Sequence, residues 1–240
     1  MDEEKLKPKL LVFASGSKDG GGSGFENLVK QSRENLNNNE INYEVVAVVS
    51  NHENGGVRKH ADELGIPFIH LKKDHSTALD YEKIFNESGA EWVALSGWLK
   101  LVPMKESSDD ENPGLDPKRT INIHPGPLPR FGGAGMYGHF VHEAVMEAYK
   151  KGKSLPDSQR VTHGAVSMHF ATKVYDDGPK FFHYPVVVQP DDTPEILAKR
   201  VNEAEHKMQP LITSLVVNGE ISWDGKDPKS LKVPEGYKFL

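Results

Sequence analysis

Asn122, His124 and Asp176 are the residues whose types and settings could do chemistry. Asn122 and His124 alternate with Ile121 and Ile123, so in an extended strand both polar side chains fall on one face. Ligands of parallel α/β sheets bind at the carboxyl ends of strands. An amide donor and an imidazole would therefore reach the same small volume. The chain leaves this strand through Pro125-Gly126-Pro127-Leu128-Pro129, whose prolines stiffen the exit. Taken alone, the stretch also fits a strand end with an ordinary hydrogen-bonded His. A second stretch adds His163-Gly164, Ser167-Met168-His169-Phe170 and Asp176-Asp177-Gly178-Pro179. An Asp just before Gly-Pro sits in a turn and can point into a cleft. A His, an Asn and an Asp without a Cys or Ser nucleophile suit a reaction with no covalent enzyme intermediate. The imidazole can serve as acid or electrostatic catalyst, the Asp can raise its pKa and relay protons, and the amide can hold an oxyanion. A metal is the rival use of His and Asp. The 11 histidines show no tight ligand spacing, so no metal is expected.

Gly20-Gly21-Gly22-Ser23-Gly24 follows an apolar run and precedes a helical pattern. That context suits a phosphate, since backbone N–H groups and a helix N-terminus face an anion there; a flexible connector is the plainer reading. The dinucleotide fingerprint fails, because Gly20 and Gly22 are followed by Phe25, and Gly22 and Gly24 by Asn27. No Gly-Lys-Ser/Thr follows the loop, His142-Glu143 has no second His at position 146, and no G-x-S-x-G is present.

The elements that must position these groups alternate along the chain. Residues 10–14 form a short apolar run that ends in Ser15-Gly16, with a Gly/Ser loop reaching Gly24. Phe25, Leu28, Val29 and Leu36 recur at helical spacing, and Asn37-Asn38-Asn39 closes that helix. The β-branched run 43–50 reads as a strand covered on both faces. Val57, Ala61 and Leu64 mark a helix stopping at Gly65; 67–71 and 92–95 read as strands, with a helix over 79–85 between them. Residues 105–118 form a polar insertion, expected to be a solvated loop of little chemical weight. The strand 120–123 follows, then a helix carrying Phe140, Val141, Ala144, Val145 and Ala148. A strand pair over 161–170 and 181–188 comes next, and Thr193-Pro194 opens a helix towards Met208. This order predicts an α/β, Rossmann-like doubly wound and mostly parallel sheet in a single domain.

Composition narrows the function classes. The chain has 240 residues and a net charge of −6, so no basic field is available to grip nucleic acid. Cysteine is absent, which removes disulfides, thiolate nucleophiles and Cys-ligated zinc, and fits a reducing compartment. No apolar run approaches the ~20 residues that span a bilayer, and the charged start Met1-Asp2-Glu3-Glu4-Lys5 is no signal peptide. A cytoplasmic protein, monomeric or homodimeric, with small-molecule substrates and no membrane partner is expected.

Together these residues resemble the formyltransferases that use 10-formyltetrahydrofolate, and among them the enzymes that formylate glycinamide ribonucleotide in purine synthesis. The resemblance covers about residues 9–223. It is carried by Ser15-Gly16…Gly22-Ser23, Val49-Ser50-Asn51, Leu95-Ser96-Gly97-Trp98, Asn122-Ile123-His124-Pro125, His169-Phe170, Asp176-Asp177-Gly178-Pro179 and Glu205-His206. The loop Phe131-Gly132-Gly133-Ala134-Gly135-Met136-Tyr137-Gly138 is similar to that of one subgroup. The resemblance implies a catalytic trio of Asn122, His124 and Asp176. In that trio an Asn122 amide and a His124 imidazolium, kept charged by Asp176, face the oxyanion. It also implies a substrate-phosphate loop at Gly22, Ser23 and Gly24, and further acceptor contacts from Pro125, Gly126 and Glu205. The folate pterin would lie against Trp98, Leu99, Lys100, Leu101, Val102, Thr172 and Lys173. One formyltransferase domain over 1–240 is expected, with a tail at 224–240.

Departures from the family pattern gather on the acceptor side. Gly24 stands where Asn is usual, Lys18-Asp19-Gly20 lengthen the loop, Gly126 replaces a frequent Ser or Ala, and Asn202 replaces a basic residue. Alternatives are a formyltetrahydrofolate hydrolase, a formyltransferase for an amino-sugar nucleotide or initiator tRNA, and a non-catalytic binding module. The length disfavours the first and the tRNA enzymes, which carry an added N-terminal or C-terminal domain. The intact trio disfavours the last.

Overall fold

The computed structural model describes residues 6–34, 41–152 and 154–240, without the side chain of His75. The expected helix end at Asn37-Asn38-Asn39 lies outside the described residues. Seven strands make one sheet: β1 (Lys9–Phe13), β2 (Glu44–Ser50), β3 (Phe68–His70), β4 (Trp92–Leu95), β5 (Thr120–His124), β6 (His163–Phe170) and β7 (Lys180–Val187), in the order β3-β2-β1-β4-β5-β6-β7. The first five run parallel, and β6 and β7 are antiparallel to their neighbours. Among the described residues, α1 (Ser23–Glu34), α2 (Gly56–Leu64), α3 (Ala78–Ser88) and α4 (His139–Gly152) lie between strands, and α5 (Pro194–Val217) follows β7.

Strand alternation divides the core. Leu10 and Val12 of β1, Val45 and Val48 of β2, Ala94 of β4, and Ile121 and Ile123 of β5 point to the face covered by α1, α2, α4 and α5. Leu11, Phe13, Ala47, Val49, Val93 and Leu95 point to the other face, under Tyr81 of α3. Helices therefore cover both faces, as the alternating pattern predicts. On β5 the same alternation turns Asn122 and His124 away from the α4/α5 core, beyond the area that α3 covers.

Three segments differ from the sequence reading. Helix α1 begins at Ser23, so Ser23 and Gly24 are first-turn residues rather than loop. Helix α5 continues past Met208 to Val217, through Pro210. Proline lacks the N–H that would bond the His206 carbonyl four residues earlier. Asn27 Nδ2 of α1 donates to that oxygen at 2.7 Å instead. The insertion 105–118 is exposed at its tip but pinned at its root. Leu115 is buried with Met104, the Lys105 N–H donates to the Leu115 carbonyl at 2.9 Å, and Lys105 Nζ lies 3.2 Å from Glu82 of α3. The tail also packs down: the His183 N–H donates to the Phe239 carbonyl, and Phe239 lies against Phe182 at 5.3 Å between ring centroids.

Candidate active site

The carboxyl ends of β4 and β5, the loop after β1, the loop after β6 and the cleft-facing sides of α4 and α5 enclose a cleft of about 800 Å³. That is ample for small-molecule ligands. In the antiparallel β5–β6 pair, Asn122 stands opposite His169. The turn after β6 brings in Asp176 with a left-handed backbone, φ 54°; Asp tolerates this conformation better than most residues. Gly133, in the glycine-rich loop after β5, donates its N–H to Asp176 Oδ2 at 2.9 Å.

These groups form one network. Asn122 Nδ2 lies 3.0 Å from His169 Nε2 and donates to Asp176 Oδ1 at 3.3 Å. His169 Nε2 is itself 3.3 Å from Asp176 Oδ1, and its Nδ1 meets the Phe170 carbonyl at 2.8 Å. His124 Nε2 meets the Phe131 carbonyl at 2.7 Å, while Nδ1 lies 3.5 Å from Asp176 Oδ2. A carbonyl only accepts, so Nε2 of His124 and Nδ1 of His169 carry the protons. In neutral His124 the lone pair of Nδ1 is therefore left facing the Asp176 carboxylate.

Opposing influences act on the His124 imidazole. Burial pushes its pKa below the ordinary histidine value, although the Asp176 charge and the Phe131 carbonyl act upwards. Asp176 is also buried, which raises its pKa. Contacts with His169, His124 and the Gly133 N–H together outweigh that and leave it below the usual carboxylate value.

The part of the cleft around the start of α1 is built from backbone and small side chains. The Glu26 N–H donates to the Gly22 carbonyl at 2.9 Å, so the N–H groups of Ser23, Gly24 and Phe25 precede the first α1 bond. Gly22 has φ 89°, and a Cβ there would lie 2.9 Å from Val57 Cγ2 and 3.1 Å from its Cα, so the close packing of loop on α2 needs glycine. The extra Lys18-Asp19-Gly20 is absorbed in a turn in which the Ser17 N–H donates to the Gly20 carbonyl at 2.7 Å. From α5, Ala198, Asn202 and Glu205 face the cleft at helical spacing. His206 Nε2 lies 3.3 Å from Ser23 Oγ. Burial pushes Glu205 up to about 7, against a hydrogen bond from the Asn202 amide, and lowers His206 despite the nearby Glu26 charge. Among the described residues, Lys100 is the only Lys or Arg in the cleft wall.

The sequence-family model described as "Formyl transferase" matches residues 9–213. The chain belongs to the formyl transferase family. A chloroplastic phosphoribosylglycinamide formyltransferase of Arabidopsis thaliana is 34% identical over 226 residues, which cover 92% of this chain and 69% of the relative. Its counterpart in Vigna unguiculata is 30% identical over 90% of this chain and 63% of its own length. The crystal structure of glycinamide ribonucleotide transformylase 1 from Symbiobacterium toebii superposes with a TM-score of 0.75. It shares 23% identity, with 98% of each chain covered, and so corroborates the fold.

Within this formyl transferase cleft, Asn122, His124, Asp176, Gly22, Ser23, Gly24, Pro125 and Glu205 all line the wall, as do the segment 98–102 and Thr172. Two expected residues do not. Lys173 is turned to Glu106 of the insertion, with which it forms an ion pair, so the insertion braces the loop that carries Asp176. Gly126 lies behind His124: its carbonyl accepts from Ser167 Oγ at 2.8 Å, and a Cβ would sit 2.5 Å from Val141 Cγ1. The structure sets the departure at position 126 in tight packing behind His124. His169, His142, Gln209 and Ser96 are wall residues to which the sequence reading gave no role. His169 was within reach, since it shares the alternation of Ser167 and stands one strand away from Asn122. The other three depend on tertiary packing alone.

Proposed function

We propose that this chain transfers a formyl group from 10-formyltetrahydrofolate to the amine of glycinamide ribonucleotide, as one catalytic unit with its core at about 9–223. The observation that carries the reading is the closed network of Asn122, His124, His169 and Asp176, set in the same cleft as the N-terminus of α1. The co-substrate's fit rests on an apolar wall. Leu99, Leu101, Val174 and Tyr175 are between 38% and 58% exposed around the cleft, a surface suited to a planar heteroaromatic.

In the reaction the acceptor nitrogen bonds to the formyl carbon, the bond from that carbon to N10 breaks, and one proton passes from the amine to N10. His124 Nδ1 lies 3.5 Å from Asp176 Oδ2, which makes the pair a station for that proton. Once His124 holds the proton, Asp176 supports the imidazolium, and its charge favours the negative charge growing on the formyl oxygen. An Asn122 N–H, released from His169 or Asp176, donates to the same oxygen. Incubation with 10-formyltetrahydrofolate, with and without glycinamide ribonucleotide, tests the reading through release of tetrahydrofolate. Acceptor-dependent release is expected. Acceptor-independent release would mean a hydrolase, and no release would refute transfer to this acceptor.

A further inference from the structure

The space that Gly24 leaves open is filled from below by two polar side chains. A Cβ at Gly24 would lie 2.4 Å from Ser96 Oγ and 3.5 Å from Gln209 Oε1. Ser96 directly follows β4 and Gln209 belongs to α5, so the pair links the sheet to the helix beneath the first turn of α1. Ser96 Oγ donates to Gln209 Oε1 at 3.3 Å. The two residues are 6% and 2% exposed, yet both line the cleft. With Oε1 held by Ser96, the NH2 end of the Gln209 amide has no hydrogen-bond partner among the described residues. It is not among the atoms sealed away from the cleft either. A nearly buried amide with idle donors calls for an acceptor from outside the protein.

The chemistry of that acceptor follows from the surroundings. The neighbouring N–H groups of α1 and its positive helix end favour an anion. Lys100 aside, no Lys or Arg stands among the described wall residues, and burial lowers the His206 pKa. A neutral donor aimed at the anion from the α5 side is the missing component. We propose that Gln209, oriented by Ser96, is a specificity-determining residue that donates its amide N–H to a phosphate oxygen of the acceptor. This rests on the reading that the acceptor carries a phosphate held at the α1 N-terminus. It also accounts for Gly24, since any larger side chain there would displace the pair.

Steady-state kinetics of Gln209→Glu and Gln209→Met against wild type test the proposal, with folding checked by thermal melts. The glutamate turns two donors into a negative acceptor and should raise the acceptor KM roughly tenfold or more. The methionine should raise it severalfold and remains informative if the glutamate variant fails to fold. KM for 10-formyltetrahydrofolate should be unchanged, and the dephosphorylated acceptor should show no difference between the proteins. An unchanged acceptor KM, or an equal loss with the dephosphorylated acceptor, would overturn the assignment. If wild type itself fails to turn over the phosphorylated acceptor, the functional reading falls separately. Titration calorimetry with inorganic phosphate then decides: weaker binding by Gln209→Met supports the anion contact, and equal or absent binding overturns it.

Discussion

At one end of the cleft, Asn122, His124, His169 and Asp176 each lie within 3.5 Å of another member of the set, fixed by strand pairing and one left-handed turn. At the other end, Gly22, Ser23 and Gly24 offer mainly backbone N–H groups at the start of a helix. The first end depends on side-chain identity, because each atom has a named partner. The second depends on conformation and free space, which several sequences can provide. The departures follow this division: the longer loop, Gly24 and Asn202 all fall at the backbone-built end. Gly126, which lies beside the side-chain network, is there for steric room under His124.

The sharpest way to break the comparison is at the network. Asp176→Ala should lower kcat by about 10²–10³, or roughly 3–4 kcal/mol, while the protein stays folded. The same order is expected for Asn122→Ala and His124→Ala. Near-normal turnover in a folded Asp176→Ala protein would mean that the network is structural and that the contrast between the two ends is illusory.

Titration separates the cleft walls by a slightly smaller amount. His142 of α4 is buried, its Nδ1 has no partner among the described residues, and burial followed by the charges of His139 and His124 brings its pKa to about 4. A histidine lowered in the fold gives stability that is present above 6.5 and lost as pH falls towards 4, about 3 kcal/mol here. Glu205, raised to about 7, acts in the opposite sense: its contribution is full below 4.5 and is lost as pH rises through 7. The two therefore offset each other over much of the same window. Urea midpoints at pH 5 and pH 7 should show a steeper acid loss in Glu205→Gln than in wild type, and a shallower one in His142→Gln. Parallel pH profiles for all three proteins would contradict both assignments.

The smallest effect belongs to the loop. Ser23→Asp places a negative charge where the acceptor phosphate is expected, at a helix position that favours Asp for folding. The acceptor KM should rise roughly tenfold, with kcat and thermal stability near wild type. Unchanged acceptor affinity would remove the phosphate from this loop and would leave the backbone-built end without a ligand.

Much of the architecture was legible because burial repeats with the period of each element. The alternation in β1, β2 and β5 gives both the strands and the face on which Asn122 and His124 stand. The end of α5 was not legible, since Pro210 reads as a terminator until Asn27 is seen to satisfy the freed His206 carbonyl. The insertion looked solvated because its charges outnumber Leu115, yet that one side chain anchors it in the core. The partner of Lys173 was not legible for a similar reason: its ion pair with Glu106 is made across two loops that no local pattern connects.

Sequence alone determined the order of strands and helices, the reactive groups available, and the absence of any thiol, because these are properties of residue type and local spacing. Only the tertiary structure decided which atoms meet and which way burial shifts the buried titratable groups. His169 reaches Asn122 through strand register, Gln209 lies under Gly24 because α1 docks on α5, and burial pushes the His124 pKa down although a carboxylate lies 3.5 Å away. The physical reason is common to all three: contact and desolvation depend on segments far apart in the chain, which are brought together only when the core closes.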